Sequence, residues 1–102
     1  MNQVLDKNIE QSWYSLSLPA QMVNIGNEVK RAFRFTDINK QNRFLDKAIT
    51  YINLTSKDKK NEKVVDEILI GIDVLTKIKN NEETTYTKEQ VLNYYNTFLH
   101  YI

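Results

Sequence analysis

The sequence of 102 residues contains no cysteine, only two glycines and one proline, and no long apolar run. Without cysteine there are no disulfides, no thiolate chemistry and no zinc–thiolate sites. A β-rich domain of this size needs more turn residues, so the composition favours helices. A membrane helix needs about 20 apolar residues, and the polar N-terminus lacks the apolar core of a signal peptide. We therefore expect a cytoplasmic protein that does not contact a membrane.

Positive and negative charges are nearly balanced, because 14 lysines and arginines and 13 acidic residues give a net charge of +1. This balance does not favour nucleic acid or an anionic membrane as the default partner. The apolar fraction of 41% is ordinary for a soluble protein, and the length fits a single domain, residues 1–102. Eleven lysines against three arginines indicate an AT-rich, bacterial genome.

The densest apolar stretch is residues 63–78, KVVDEILIGIDVLTKI. On a helix of about 100° per residue, its main stripe is formed by Val65, Ile68, Leu69, Ile72 and Leu75. Ile70 and Val74 stand opposite that stripe as an i,i+4 pair. A helix that is apolar over so much of its circumference is usually covered on more than one side.

Capping signals place the other helices. Ser17 with Pro19, then Asp37, and finally Thr87 with Gln90 three residues later are typical helix starts. With the apolar periodicity they predict helices over residues 18–35, 38–54, 62–79 and 87–102.

Short polar loops at residues 55–61 and 80–86 connect these helices. The predicted fold is therefore all-α, an antiparallel four-helix bundle. Residues 1–16 form either an N-terminal arm or a short extra helix, with Trp13 at least half buried. The apolar stripe of the last helix continues to Ile102, so we expect the C-terminus to be docked. Gly26, in mid-helix, indicates close approach by another helix.

Residues 15–35, SLSLPAQMVNIGNEVKRAFRF, resemble the opening of a family of small, uncharacterised prokaryotic all-helical proteins, which carries a motif like SLGEQMANIGSEVSRAIRW. A second segment, AITYINLTSKDKK at residues 48–60, is similar to the family's ALELLDLTIADPK. The chain departs from the pattern at Phe35, which replaces a tryptophan, and at Ala20, which replaces a glutamate; the Gly-Asn turn after the first helix is also missing. The family has no established activity, so the resemblance implies a helical fold and carries over no catalytic residue.

A polar row borders the apolar face of the first predicted long helix. Gln21, Asn24, Glu28 and Arg31 are spaced by 3, 4 and 3 residues. Side chains at such a border are often half buried and need hydrogen-bond partners. The row either fixes the register of a neighbouring helix or loop, forms a binding site, or is simply solvated.

A basic patch is the second candidate site. Lys30, Arg31 and Arg34 lie near Lys40 and Arg43 across a predicted turn, where they could contact nucleic acid. Interspersed acidic residues favour a solvated face instead, so nucleic acid is not the favoured partner.

The third candidate is an interface at Ile70 and Val74, which the main stripe leaves uncovered. Leu5, Ile9 and Trp13 could fold over the pair, a second chain could cover it in a C₂ dimer, or the pair could remain exposed.

No catalytic, nucleotide or metal motif stands out in the sequence, and no cofactor is expected. We therefore expect a protein that is not an enzyme and acts through protein–protein contacts, with a homodimer favoured. The alternative is a nucleic-acid or nucleotide-binding accessory module that uses the basic patch. A small enzyme built on Glu28 and Arg31 is the remaining hypothesis.

Overall fold

The computed structural model describes residues 7–102, in which the regular secondary structure is helical and no strand occurs. In chain order the elements are α1 (Lys7–Tyr14), α2 (Leu18–Phe33), α3 (Ile38–Lys57), a linking 3₁₀ helix (Lys59–Val64), α4 (Val65–Lys79), α5 (Lys88–Asn96) and a final 3₁₀ helix (Thr97–Tyr101). The prediction of an all-α fold is confirmed.

The predicted capping residues start the helices. Ser17 and Asp37 each accept a backbone N–H from the first turn of the following helix, at 3.3 and 2.9 Å. Thr87 and Gln90 form a reciprocal capping box, with hydrogen bonds of 2.9 and 3.1 Å. Each bond satisfies a backbone donor that the helix itself leaves without an acceptor, so α2, α3 and α5 begin where the sequence predicts.

Helix α4 ends in a Schellman motif. Asn81 has a φ of 56°, in the left-handed region that asparagine tolerates. The N–H of Glu82 bonds to the carbonyl of Lys77 at 2.8 Å, and that of Asn81 bonds to Ile78 at 3.1 Å. This cap turns the chain out of α4 and into the connection that leads to α5.

Helix α2 packs on α3 and α5, and α3 also packs on α4. The predicted apolar face of α2 is confirmed, because Ile25, Val29 and Ala32 are fully buried and Met22 nearly so. Trp13 is 7% exposed, as predicted. The buried apolar core consists of Trp13, Met22, Ile25, Val29, Ala32, Leu45, Ala48, Ile52, Leu54, Ile68, Val74, Leu75, Val91 and Tyr95.

The orientation of α4 differs from the predicted one. Val74, expected opposite the buried stripe, is only 8% exposed, whereas Leu69, expected within the stripe, is 38% exposed. The reason is that Tyr95 packs against Gly71. The side of α4 that carries Gly71 and, three residues later, Val74 therefore faces the core.

The prediction of a polar loop at residues 55–61 is wrong, because helical segments occupy most of this range. Helix α3 continues to Lys57, and Asp58 then caps the linking 3₁₀ helix by accepting the N–H of Lys60 at 3.2 Å. Thr55, Asp58 and Asn61 are all buried. The α-helix predicted from residue 62 begins only at residue 65, because the 3₁₀ helix occupies the intervening turn.

The prediction of a docked C-terminus holds only in part, because the final 3₁₀ helix packs on α2 whereas its last residues are exposed. Helix α5 ends at Asn96, and Leu99, Tyr101 and Ile102 are 56%, 74% and 71% exposed. The final 3₁₀ helix has about 3.0 residues per turn. Apolar residues spaced for a period of 3.6 therefore do not remain on one face in this segment.

Candidate functional site: the groove between the fourth and fifth helices

Gln21, the first residue of the polar row, lies at the centre of a buried network. Its Nε2 donates to the backbone carbonyl of Trp13 and to Oδ2 of Asp58, both at 2.9 Å. Its Oε1 accepts from Nδ2 of Asn61, also at 2.9 Å. The amide thus ties α2 to Trp13 of α1 and to Asp58 and Asn61, which follow α3, so it is hydrogen-bonded within the protein.

Trp13 attaches α1 to α3 beside this network. Its indole Nε1 donates to Thr55 Oγ1 at 2.9 Å, and its ring stacks on Tyr51 with centroids 4.5 Å apart. Buried tryptophans normally pair their N–H in this way. The contact holds α1 on the outer side of α3.

Asp58 is the ionisable member of the network. Burial raises the pKa of its carboxyl group, but hydrogen bonds from Lys60 and Gln21 and the charge of Lys60 outweigh burial, so the net pKa is lowered. Lys60 also donates to the backbone carbonyl of Tyr14 at 2.8 Å. The carboxylate is therefore held ionised by groups from two elements, Gln21 of α2 and Lys60 of the linking 3₁₀ helix.

The rest of the polar row lies in other surroundings. Asn24 is exposed and donates to the carbonyl of Ala20 in its own helix at 2.8 Å. Glu28 is 7% exposed, with its carboxylate 3.2 Å from Arg31 and 3.8 Å from Lys47 of α3. The four residues do not converge on one site.

The residues of the basic patch also differ in their surroundings. Lys30, Arg34 and Arg43 are exposed, and none forms an ion pair with another described residue. Arg31, which follows Lys30 in the chain, is instead paired with Glu28. The acidic neighbour noted in the sequence thus neutralises part of the charge.

Ile70 and Val74 line the same cavity, of about 300 Å³, between α4 and α5. Ile70 is 53% exposed at its mouth, whereas Val74 is buried. We call this cavity and its mouth the α4–α5 groove. It is lined by Glu67, Ile70, Gly71, Val74 and Leu75 from α4, by Gln90, Val91, Tyr94 and Tyr95 from α5, and by Tyr86 from the connection.

Helix α1 does not line the groove. Trp13 packs on α3, and Ile9 is 47% exposed. Leu5, the third residue of the predicted lid, lies outside the described residues. The described part of the N-terminal segment therefore does not fold over Ile70, contrary to one of the three predicted arrangements.

Two tyrosines join the helices that flank the groove. The Tyr94 hydroxyl donates to Oε2 of Glu67 at 2.8 Å, and burial together with that carboxylate raises the pKa of Tyr94. Tyr95 lies so close to two glycines that a Cβ at Gly26 would be 2.6 Å from its Cβ, and one at Gly71 would be 2.5 Å from its hydroxyl oxygen. The close approach predicted at Gly26 is confirmed.

Tyr95 was not singled out from the sequence as a site residue. It belongs to the apolar stripe of the last helix, and only its hydroxyl distinguishes it from a core residue. The signal in the sequence was that two helices each carry one of the two glycines. That these glycines make room for one aromatic residue becomes visible only when α2, α4 and α5 are packed together.

Comparison with protein-family models, with curated proteins and with solved structures found no match to this chain. The resemblance of residues 15–35 to a prokaryotic helical family therefore stays a prediction. Among residues 7–102, no helix has the length and apolar character needed to cross a membrane, and no three acidic or histidine side chains are grouped to hold a metal ion.

Proposed function

We propose that this protein is not an enzyme but acts through protein–protein contacts, and that it self-associates through the mouth of the α4–α5 groove. One observation carries the proposal: Ile70, Tyr86 and Tyr94 are 53%, 47% and 37% exposed and line the same groove. Contiguous exposed apolar surface of this kind marks interaction sites on soluble proteins.

The scaffold we propose is an antiparallel four-helix bundle of α2 to α5, with α1 as the additional short helix. The packing of α2 on α3 and α5, and of α3 on α4, supports this arrangement. In this arrangement α4 and α5, which flank the groove, pack less closely against each other than the other neighbouring helices do.

A C₂ dimer suits this surface because two-fold symmetry uses one patch on both subunits. Each Ile70 would face the groove mouth of its partner, where Tyr86 and Tyr94 present large, rigid rings. Tyrosines are enriched in the energetic centres of interfaces.

The test is the mass in solution, measured by sedimentation equilibrium across the micromolar range. The wild-type protein should approach twice its chain mass of 12.1 kDa. Ile70→Glu should weaken dimerisation at least about tenfold, because the interface would have to desolvate a charge.

Ile38→Glu is the matched control, since Ile38 is 66% exposed at the start of α3 and is not a groove residue. It should dimerise like the wild type. A wild-type protein that stays monomeric throughout, or equal effects of the two substitutions, would remove the proposal.

A further inference from the structure

The hydroxyl group of Tyr95 is one of the polar groups of the groove. The residue is only 3% exposed, yet this hydroxyl makes no hydrogen bond with any described residue. Gly26 lies against its Cβ and Gly71 against its hydroxyl oxygen, so the position of that oxygen is fixed by packing. Among the described residues, the fully enclosed side-chain atom that lacks a partner is Asn42 Oδ1, so the Tyr95 hydroxyl oxygen keeps some accessible surface.

The hydroxyl lies at the wall of the cavity. Gly71, whose Cβ position would be 2.5 Å from this oxygen, lines the groove together with Tyr95 itself. The adjoining walls are the apolar side chains of Val74, Leu75 and Val91. The groove therefore places the Tyr95 hydroxyl, whose hydrogen-bonding capacity the described residues do not use, among mainly apolar walls.

We propose that the α4–α5 groove binds a small, neutral, mainly apolar molecule whose single hydrogen-bond acceptor faces the Tyr95 hydroxyl. Small-molecule sites commonly combine apolar walls with a few placed polar groups.

The size of the cavity supports a ligand of about two fused rings. An apolar cavity of about 150 Å³ admits benzene, and the groove holds about 300 Å³.

The charges around the groove exclude an anionic ligand. Among residues 7–102, no lysine or arginine lines it, so a buried carboxylate or phosphate would lose its hydration without gaining a counter-charge. The carboxylate of Glu67 is already bonded to Tyr94. Burial raises the pKa of Tyr95, which keeps its hydroxyl protonated as a donor.

The experiment compares two probes of the same shape, 2-acetylnaphthalene and 2-isopropenylnaphthalene, which differ in having a carbonyl oxygen or a methylene group. Each is titrated into the full ¹⁵N-labelled chain, and the amide shifts around Gly71 and Val91 give the affinity. The ketone should bind about three- to tenfold tighter, as expected for one neutral hydrogen bond.

Tyr95→Phe retains the ring and removes the hydroxyl. It should abolish the advantage of the ketone while leaving the affinity for the hydrocarbon unchanged. Tyr101→Phe, the same change at a residue that is 74% exposed and does not line the groove, should bind both probes like the wild type.

Equal affinities of the two probes for the wild-type protein would overturn the proposal, as would shifts that fall outside the groove. So would a ketone advantage that persists in Tyr95→Phe. The comparison of probes on the wild type decides the matter even if that variant does not fold. Self-association is measured separately by mass, so failure of either proposal leaves the other intact.

Discussion

Individual polar residues hold the first half of this molecule together. Gln21, Asp58 and Asn61 are at most 8% exposed, and the bonds between them join positions 37 and 40 residues apart in the chain. Buried groups of this kind contribute modestly when paired but cost much more when one partner is removed. The network therefore makes the placement of the linking 3₁₀ helix strongly specific.

Asp58→Asn tests the network through its pH dependence. The lowered pKa of Asp58 means that the unfolded chain, with a pKa near 3.8, binds the proton more tightly. The stabilisation is thus fully present above that pH and is lost as the pH falls through the folded-state pKa. We expect the variant to lose about 1–3 kcal/mol at neutral pH, and its difference from the wild type to shrink below about pH 4, as measured by urea unfolding followed through Trp13 fluorescence.

Asp73→Asn provides the control, since Asp73 forms an exposed ion pair with Lys77. Its effect should stay below about 1 kcal/mol at every pH. A difference between Asp58→Asn and the wild type that did not change with pH would contradict the role assigned to this carboxylate.

At the scale of elements, the packing of α5 depends on two glycines in other helices. The ring of Tyr95 lies against Gly26 of α2 and Gly71 of α4. Glycine within a helix costs about 1 kcal/mol relative to alanine, and the close approach of an aromatic ring explains why that cost is tolerated at both positions.

Gly26→Ala should therefore destabilise the protein, although the same change in an ordinary helix stabilises it. The added methyl group would lie 2.6 Å from the Cβ of Tyr95, so α2 and α5 must move apart. We expect a loss of about 1–3 kcal/mol in the free energy of unfolding, measured by denaturant titration.

Asn27→Ala is the matched change at the next, exposed position of α2. It should leave stability unchanged or raise it by up to about 0.7 kcal/mol, since alanine has the higher helix propensity. A stabilising Gly26→Ala would show that α5 does not pack as described.

At the scale of the whole molecule, self-association should couple to thermal stability. A dimer that forms only from folded chains stabilises them by mass action. For two chains of 102 residues, the midpoint of unfolding should rise by about 3 °C for each tenfold increase in concentration. Scanning calorimetry of the wild type and Ile70→Glu provides the measurement, and the midpoint of the variant should depend less on concentration because its dimer is weaker.

The sequence alone determined the helical class, the helix starts and the apolar face of α2, because caps and periodicity are local. Ser17, Asp37 and Thr87 bond to backbone groups within three residues of themselves, so the adjacent sequence is enough to predict that they cap helices. The burial of Gln21 could also be anticipated from its place at the border of an apolar stripe.

Only the tertiary structure decided which side of α4 is buried, where Asp58 and Asn61 find their partners, and that Tyr95 lies between two glycines. These outcomes depend on contacts between residues far apart in the chain. The period of a helix shows which side chains share a face, but it does not show which face meets a neighbour. That choice created the α4–α5 groove and left Ile70, but not Val74, exposed at its mouth.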